Sequence, residues 1–274
     1  MSMNLDVLVN TPEQTVDMKA GLQTFQGASE TIRHIAETLL TGKSPERLSY
    51  KSKIRTNLKQ TFKGSYGQTF SLDIYDAELD EKFKKIGKRN FAELANYFVS
   101  EALYLETQEI TQKSRKIIDS LGDEADALIE QLRVSCLENA HEISEKFGHD
   151  VKIRYRASRE NQIEIAKLNQ ETVLSLQAKP ENKTQDLKVS ITRLNINTGN
   201  GRLLIENEEE TVAFGFGVIY KEVKLEAKKL FSKNLDMNNG VEREKWITLR
   251  ISARPIKLKS GKIVKYIVTG FYND

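Results

Sequence analysis

Arg250 and Arg254 stand on one apolar-alternating run, residues 246–258. Ile247, Leu249, Ile251 and Ala253 alternate with Thr248, Arg250, Ser252 and Arg254, which predicts a strand with two arginines on its outer face. Arginine offers a planar fork of N–H donors that matches phosphate oxygens, so this spacing suits a polyanion. Lys257, Lys259, Lys262 and Lys265 surround the turn that follows, with Tyr266 as a stacking ring. Arg193 and Arg202 flank an earlier turn, Asn197-Thr198-Gly199-Asn200-Gly201. These nine residues form the candidate nucleic-acid-binding set, the basic groove and aromatic of a single-strand binder. The competing explanation for the lysines is protection of a sheet edge.

A second candidate is the segment Lys63-Gly64-Ser65-Tyr66-Gly67. Its glycines let a backbone approach a ligand closely, so Lys63, Gly64, Ser65 and Gly67 form a turn able to contact phosphate. A hairpin that needs glycine at positive φ explains the same residues without a ligand.

Other chemistry is sparse. The 3 histidines, His34, His141 and His149, have no metal-ligand spacing, and the 1 cysteine, Cys136, permits neither an internal disulfide nor a cysteine-rich zinc site. His34, His141 and Cys136 fall within helical patterns and read as packed side chains. Gly42-Lys43-Ser44 imitates the end of a phosphate-binding loop, but it follows a helix and lacks the upstream glycine. Asp73 with Glu222-Val223-Lys224 would be the components of a metal-dependent nuclease, although the triplet falls in a helical pattern rather than on a strand. No catalytic residue, metal ligand or cofactor is assigned.

The net charge of +3 conceals a division: residues 1–150 carry 19 Lys and Arg against 24 Asp and Glu, whereas residues 151–274 carry 23 against 15. The basic half fits a polyanionic partner or an acidic protein surface. No run approaches the ~18 apolar residues of a membrane span, and the start lacks the pattern of a secretory signal, so a cytoplasmic protein without a membrane partner is expected.

The elements follow from periodicity. Residues 4–10 predict a strand, and Leu22, Phe25, Ala28, Ile32, Ile35 and Leu39 a long amphipathic helix stopped by Gly42 and Pro45. Residues 52–75 predict a hairpin. Helices are expected over 77–86, 90–105, 107–121 and 123–147, with Gly87, Thr107 and Gly122 at the joints and Val134 among the core positions of the last. Residues 151–156 predict a strand, and 157–185 a polar connection with one weak helical stretch near 168–178. Strands follow at 187–196, 202–206, 211–218, 246–258 and 262–272, with a helix at 221–235 between the third and fourth. The fold class is α+β: a helical domain with strand and hairpin at 1–150, a connecting strand and linker at 151–186, and at 187–274 a small five-stranded β-barrel, OB-like or SH3-like.

Three features resemble a family of uncharacterised two-domain bacterial proteins: the opening strand, the Leu22-x-x-Phe25-x-Gly27 helix start, and Phe62-Lys63-Gly64-Ser65 ahead of the helices. Residues 192–202 are similar to the first barrel hairpin of that family. The resemblance implies an N-terminal α/β domain followed by a five-stranded barrel, and a component encoded near antiviral defence genes. It implies no catalytic residues. The expected function is a non-enzymatic, nucleic-acid-binding or sensing component whose barrel contacts DNA or RNA phosphates. The helical domain would engage a partner protein or a second copy. The alternatives are an adaptor that binds an effector protein without nucleic acid and, third, the nuclease.

Overall fold

The computed structural model describes residues 2–12, 15–62, 66–158 and 161–272. The chain divides into two units, Met1–Leu176 and Gln177–Asp274.

In the first unit, β1 (Ser2–Val9) alternates so that Met3, Leu5, Val7 and Val9 are buried on one face. Helix α1 (Met18–Thr41) begins where the Asp17 carboxylate accepts the Ala20 N–H and ends at Gly42, whose φ of 74° is the left-handed turn that glycine adopts without strain. Next come β2 (Ile54–Phe62), β3 (Tyr66–Ile74), α2 (Ala77–Ile86), α3 (Lys88–Ala102) and α4 (Gln112–Leu121). Then follow α5 (Asp123–Gln131), α6 (Leu137–Ala140), α7 (Glu142–Phe147), β4 (Val151–Arg156), β5 (Gln162–Leu168) and α8 (Gln170–Gln177). The five strands form one antiparallel sheet in the order β2-β3-β1-β4-β5. The first strand therefore sits at the centre and pairs with residues far along the chain. One core joins the odd positions of β1 to Ala28, Ile32, Ile35, Phe83, Phe91, Phe98 and Leu137 of the helices.

Two expectations are corrected here. The helix expected over 123–147 is broken: α5 runs into a π-turn at Leu132–Cys136, closed by the Leu137 N–H on the Leu132 carbonyl, before α6 and α7. The wider turn leaves Val134 63% exposed and buries Arg133. Arg133 donates to the Ala102 carbonyl at the end of α3 and to the Ser175 carbonyl at 3.0 Å, and it stacks 4.0 Å above the Tyr104 ring. It caps two helix C-termini, where carbonyl dipoles favour a cation. Secondly, residues 151–176 are not a linker. β4 pairs with both β1 and β5, α8 follows, and the first unit runs to Leu176. Within the polar stretch 157–185, β5 is an edge strand that buries only Ile165, Ala166 and Leu168.

The second unit contains a two-residue strand β6 (Lys179–Pro180), then β7 (Gln185–Leu194), β8 (Gly201–Ile205), β9 (Thr211–Phe216), α9 (Leu225–Asn238), β10 (Leu249–Lys257) and β11 (Ile263–Phe271). Strands β7, β8, β9, β11 and β10 pair in that order, and β10 pairs with β7 again, which closes a five-stranded barrel. All these pairings are antiparallel except β9 with β11. Val189, Ile191, Leu203, Phe214, Ile251, Ala253 and Val268 fill the barrel, and Phe231 of α9 packs 5.5 Å from Phe214 and 5.1 Å from Phe216. Asn234 ties β7 to the segment ahead of β10: its Oδ1 accepts the Ile191 N–H at 2.8 Å and its Nδ2 donates to the Ile247 carbonyl at 2.7 Å. Strand β10 begins at Leu249, and Ile247, expected in the core, is half exposed.

Candidate nucleic-acid interface

The barrel separates the nine expected residues. A row crosses its outer face through backbone register: Arg193 of β7 opposite Arg202 of β8, Arg202 opposite Ala213 of β9, and Ala213 opposite Lys265 of β11. The β7–β8 turn (residues 195–200) and the β10–β11 turn (residues 258–262), which carries the exposed Lys259 and Lys262, adjoin this row. The two sides meet over Gly215. A Cβ there would lie 2.8 Å from the Asn200 Oδ1 and 3.5 Å from the Lys265 Nζ, so a side chain at this position would push the two polar ends aside.

Small residues line this face for a reason legible in β9. Val212, Phe214 and Phe216 pack into the core, so Ala213 and Gly215 take the outward positions. Both are small and buried, and the Asn200 and Lys265 side chains cover Gly215. Asn200, Ala213 and Gly215 were absent from the expected set because they carry no charge. The signal for Ala213 and Gly215 is the small residue between each pair of large ones.

Arg202 lies in the row but is buried. Its Nε donates to the Thr211 Oγ1 at 2.8 Å and a terminal nitrogen donates to the Thr211 carbonyl at 2.6 Å, so it ties β8 to β9. Tyr266 is corrected as a stacking ring: it points into the barrel core and is 2% exposed, and burial pushes its hydroxyl pKa up.

Arg250 is committed elsewhere. It faces Asp186 at 3.3 Å and stacks 4.6 Å from the Tyr272 ring, while Asp186 also accepts the Ser252 hydroxyl at 2.6 Å and the Tyr272 hydroxyl at 3.0 Å. Those hydroxyls, with Arg250, hold the Asp186 carboxyl below the usual range. Lys257 pairs with Glu181 at 3.0 Å. Arg254 lies opposite Ile267, its Nε buried with no hydrogen-bond partner among the described residues. Strand register places Arg193 and Lys265 in one row, with Lys259 and Lys262 in the adjoining turn.

The turn at Lys63, Gly64 and Ser65 lies outside the described residues. Gly67 is buried in β3 between Leu8 and Phe62.

Among the remaining candidates, His34, His141 and Cys136 are packed side chains. His34 and His141 are buried, and burial lowers the pKa of each to about 4. The His141 Nδ1 donates to the Leu137 carbonyl at 2.6 Å, which leaves Nε2 to accept the Thr172 hydroxyl at 2.8 Å. Burial pushes the Cys136 thiol up to about 11. Ser44, at the imitation phosphate loop, gives its N–H to the Glu124 carboxylate at 2.7 Å. For Asp73, burial opposes ionisation but hydrogen bonds from Ser2, Ser71 and Asn57 outweigh it, and the pKa is lowered. Glu222 closes a short 3-10 turn ahead of α9. Among the described residues no three His, Cys, Asp or Glu side chains form a metal-holding group, and no helix is long and apolar enough to cross a membrane.

No family model, curated protein or solved structure matches the chain.

Proposed function

We propose that the chain is a non-enzymatic nucleic-acid-binding protein that holds phosphates on the outer face of its barrel. The observation that carries the reading is the meeting of Lys265 and Asn200 over Gly215, in a row that begins at Arg193. Ring order and the helix between the third and fourth strands favour an OB-like over an SH3-like barrel, and in OB-folds the second and third strands with these two turns form the ligand face. The expected outward positions of β8 and β9 hold no aromatic side chain, which favours contact with backbone over stacking on bases. The family resemblance supports an antiviral defence setting, with the helical unit engaging a partner protein.

Fluorescence anisotropy with single- and double-stranded DNA and RNA tests this. Binding at low salt is expected to weaken with a log–log salt slope of about −3 for four phosphate contacts on a single strand. Arg193→Glu/Lys265→Glu is expected to abolish it, and Arg250→Gln to weaken it far less. Absence of binding at low salt, or binding indifferent to the double variant, would overturn the proposal.

One observation favours the adaptor reading. Val218, Ile219 and Leu225, clustered where β9 leads into α9, are each more than half exposed. Exposed apolar side chains gathered in this way mark protein-docking surfaces.

A further inference from the structure

A recess of about 460 Å³ opens between the end of α2 and one face of α4. That is within the ~300–1,000 Å³ of small-ligand sites. Its apolar part is Ile86, which is buried, and Ile117, which packs on the core of the first unit. Around it stand Lys85, Lys113 and Lys116, with the Ser120 hydroxyl. No carboxylate lines the recess, and none of the three amines has an ion pair among the described residues. Lys113 instead donates to the Lys85 main-chain carbonyl at 2.5 Å, which ties the start of α4 to the end of α2 at the rim.

This arrangement runs against its surroundings. The first unit is acidic overall, with 24 Lys and Arg against 27 Asp and Glu in residues 1–176. The first turn of α4 contains no acidic residue, although a helix start favours anions. Glu93 does accept the Thr111 N–H at that helix end, but it does not line the recess. Three amines around one recess with no carboxylate partner are best accommodated by a multiply charged anion from outside, and the two isoleucines by an apolar body attached to it.

We propose that this recess binds a small phosphorylated molecule, its phosphates on Lys85, Lys113 and Lys116 and its apolar portion on Ile86 and Ile117. The site is independent of the barrel face.

Isothermal titration of the full chain with pyrophosphate and with ADP at low salt tests this. Both are expected to bind, ADP more tightly. Lys113→Gln/Lys116→Gln should weaken both by about tenfold or more. Lys43→Gln/Lys53→Gln, which removes the same charge from exposed lysines elsewhere, should not, and thermal midpoints of both variants would verify folding. No heat with either compound, or equal weakening by the two double variants, would overturn the site. Pyrophosphate binding as tightly as ADP would overturn the role of the isoleucines.

Discussion

Several polar side chains in this protein are buried without a charged partner, and they are what stability should depend on most. His34 and His141 are held neutral by burial, with folded pKa values of about 4 against an ordinary 6.5. Above pH 6.5 both states are neutral and these groups leave stability unchanged. Below it the unfolded chain takes up protons that the folded one refuses, so stability falls as pH drops from 6.5 toward 4. Each histidine should cost about 1.4 kcal/mol per pH unit in that window. Urea unfolding at pH 7 and pH 5.5 would measure it, and equal midpoints would contradict the burial of both rings. Arg133 is the opposite case, a buried cation held by carbonyls and an aromatic face. Its place in the core was not legible, because an arginine in a helical pattern is normally assigned to the solvent face.

At the scale of elements, close backbone approach decides the packing of α1. A Cβ on Gly27 would come within 2.6 Å of the Cys136 carbonyl oxygen and 2.7 Å of the Asn139 carbonyl carbon. Helix α1 therefore lies directly on the π-turn and α6, and the contact is between main chains that cannot rotate away. Gly27→Ala should destabilise the first unit by about 1–3 kcal/mol or more, measurable by denaturant unfolding. A midpoint at or above that of the parent chain would rule the contact out, since alanine is otherwise the better helix former. The glycine was noticed in the sequence only as part of a helix-start motif. The element it touches lies more than a hundred residues away, beyond the reach of any local pattern.

At the scale of the whole molecule the hydrophobic cores are separate: one in the first unit, and in the second a main core with a smaller cluster of Tyr220, Val223 and Ala227. Phe231→Ala should empty the centre of the barrel at a cost of about 3–5 kcal/mol. In calorimetry it is expected to lower one transition and leave another in place, because separate cores need not unfold together. A single transition that shifts as a whole would show the two units to be one cooperative structure. Charge is divided along the same boundary: residues 177–274 carry 18 Lys and Arg against 12 Asp and Glu. The salt dependence expected of oligonucleotide binding belongs to that excess.

Periodicity alone determined most of the element order, the α+β class, the barrel strands with their intervening helix, and the burial of His34, His141 and Cys136. These depend on hydrophobic spacing within one helix or strand, which a local stretch of residues carries in full. Only the tertiary structure decided that residues 151–176 complete the first sheet, that Arg133 is internal, and that Tyr266 faces the core. It also decided that Arg250 is neutralised by Asp186 while Arg193 and Lys265 share a row. Which cations share a row depends on strand register and barrel closure. Those bring together residues from β7, β8, β9 and β11 that no sequence spacing relates.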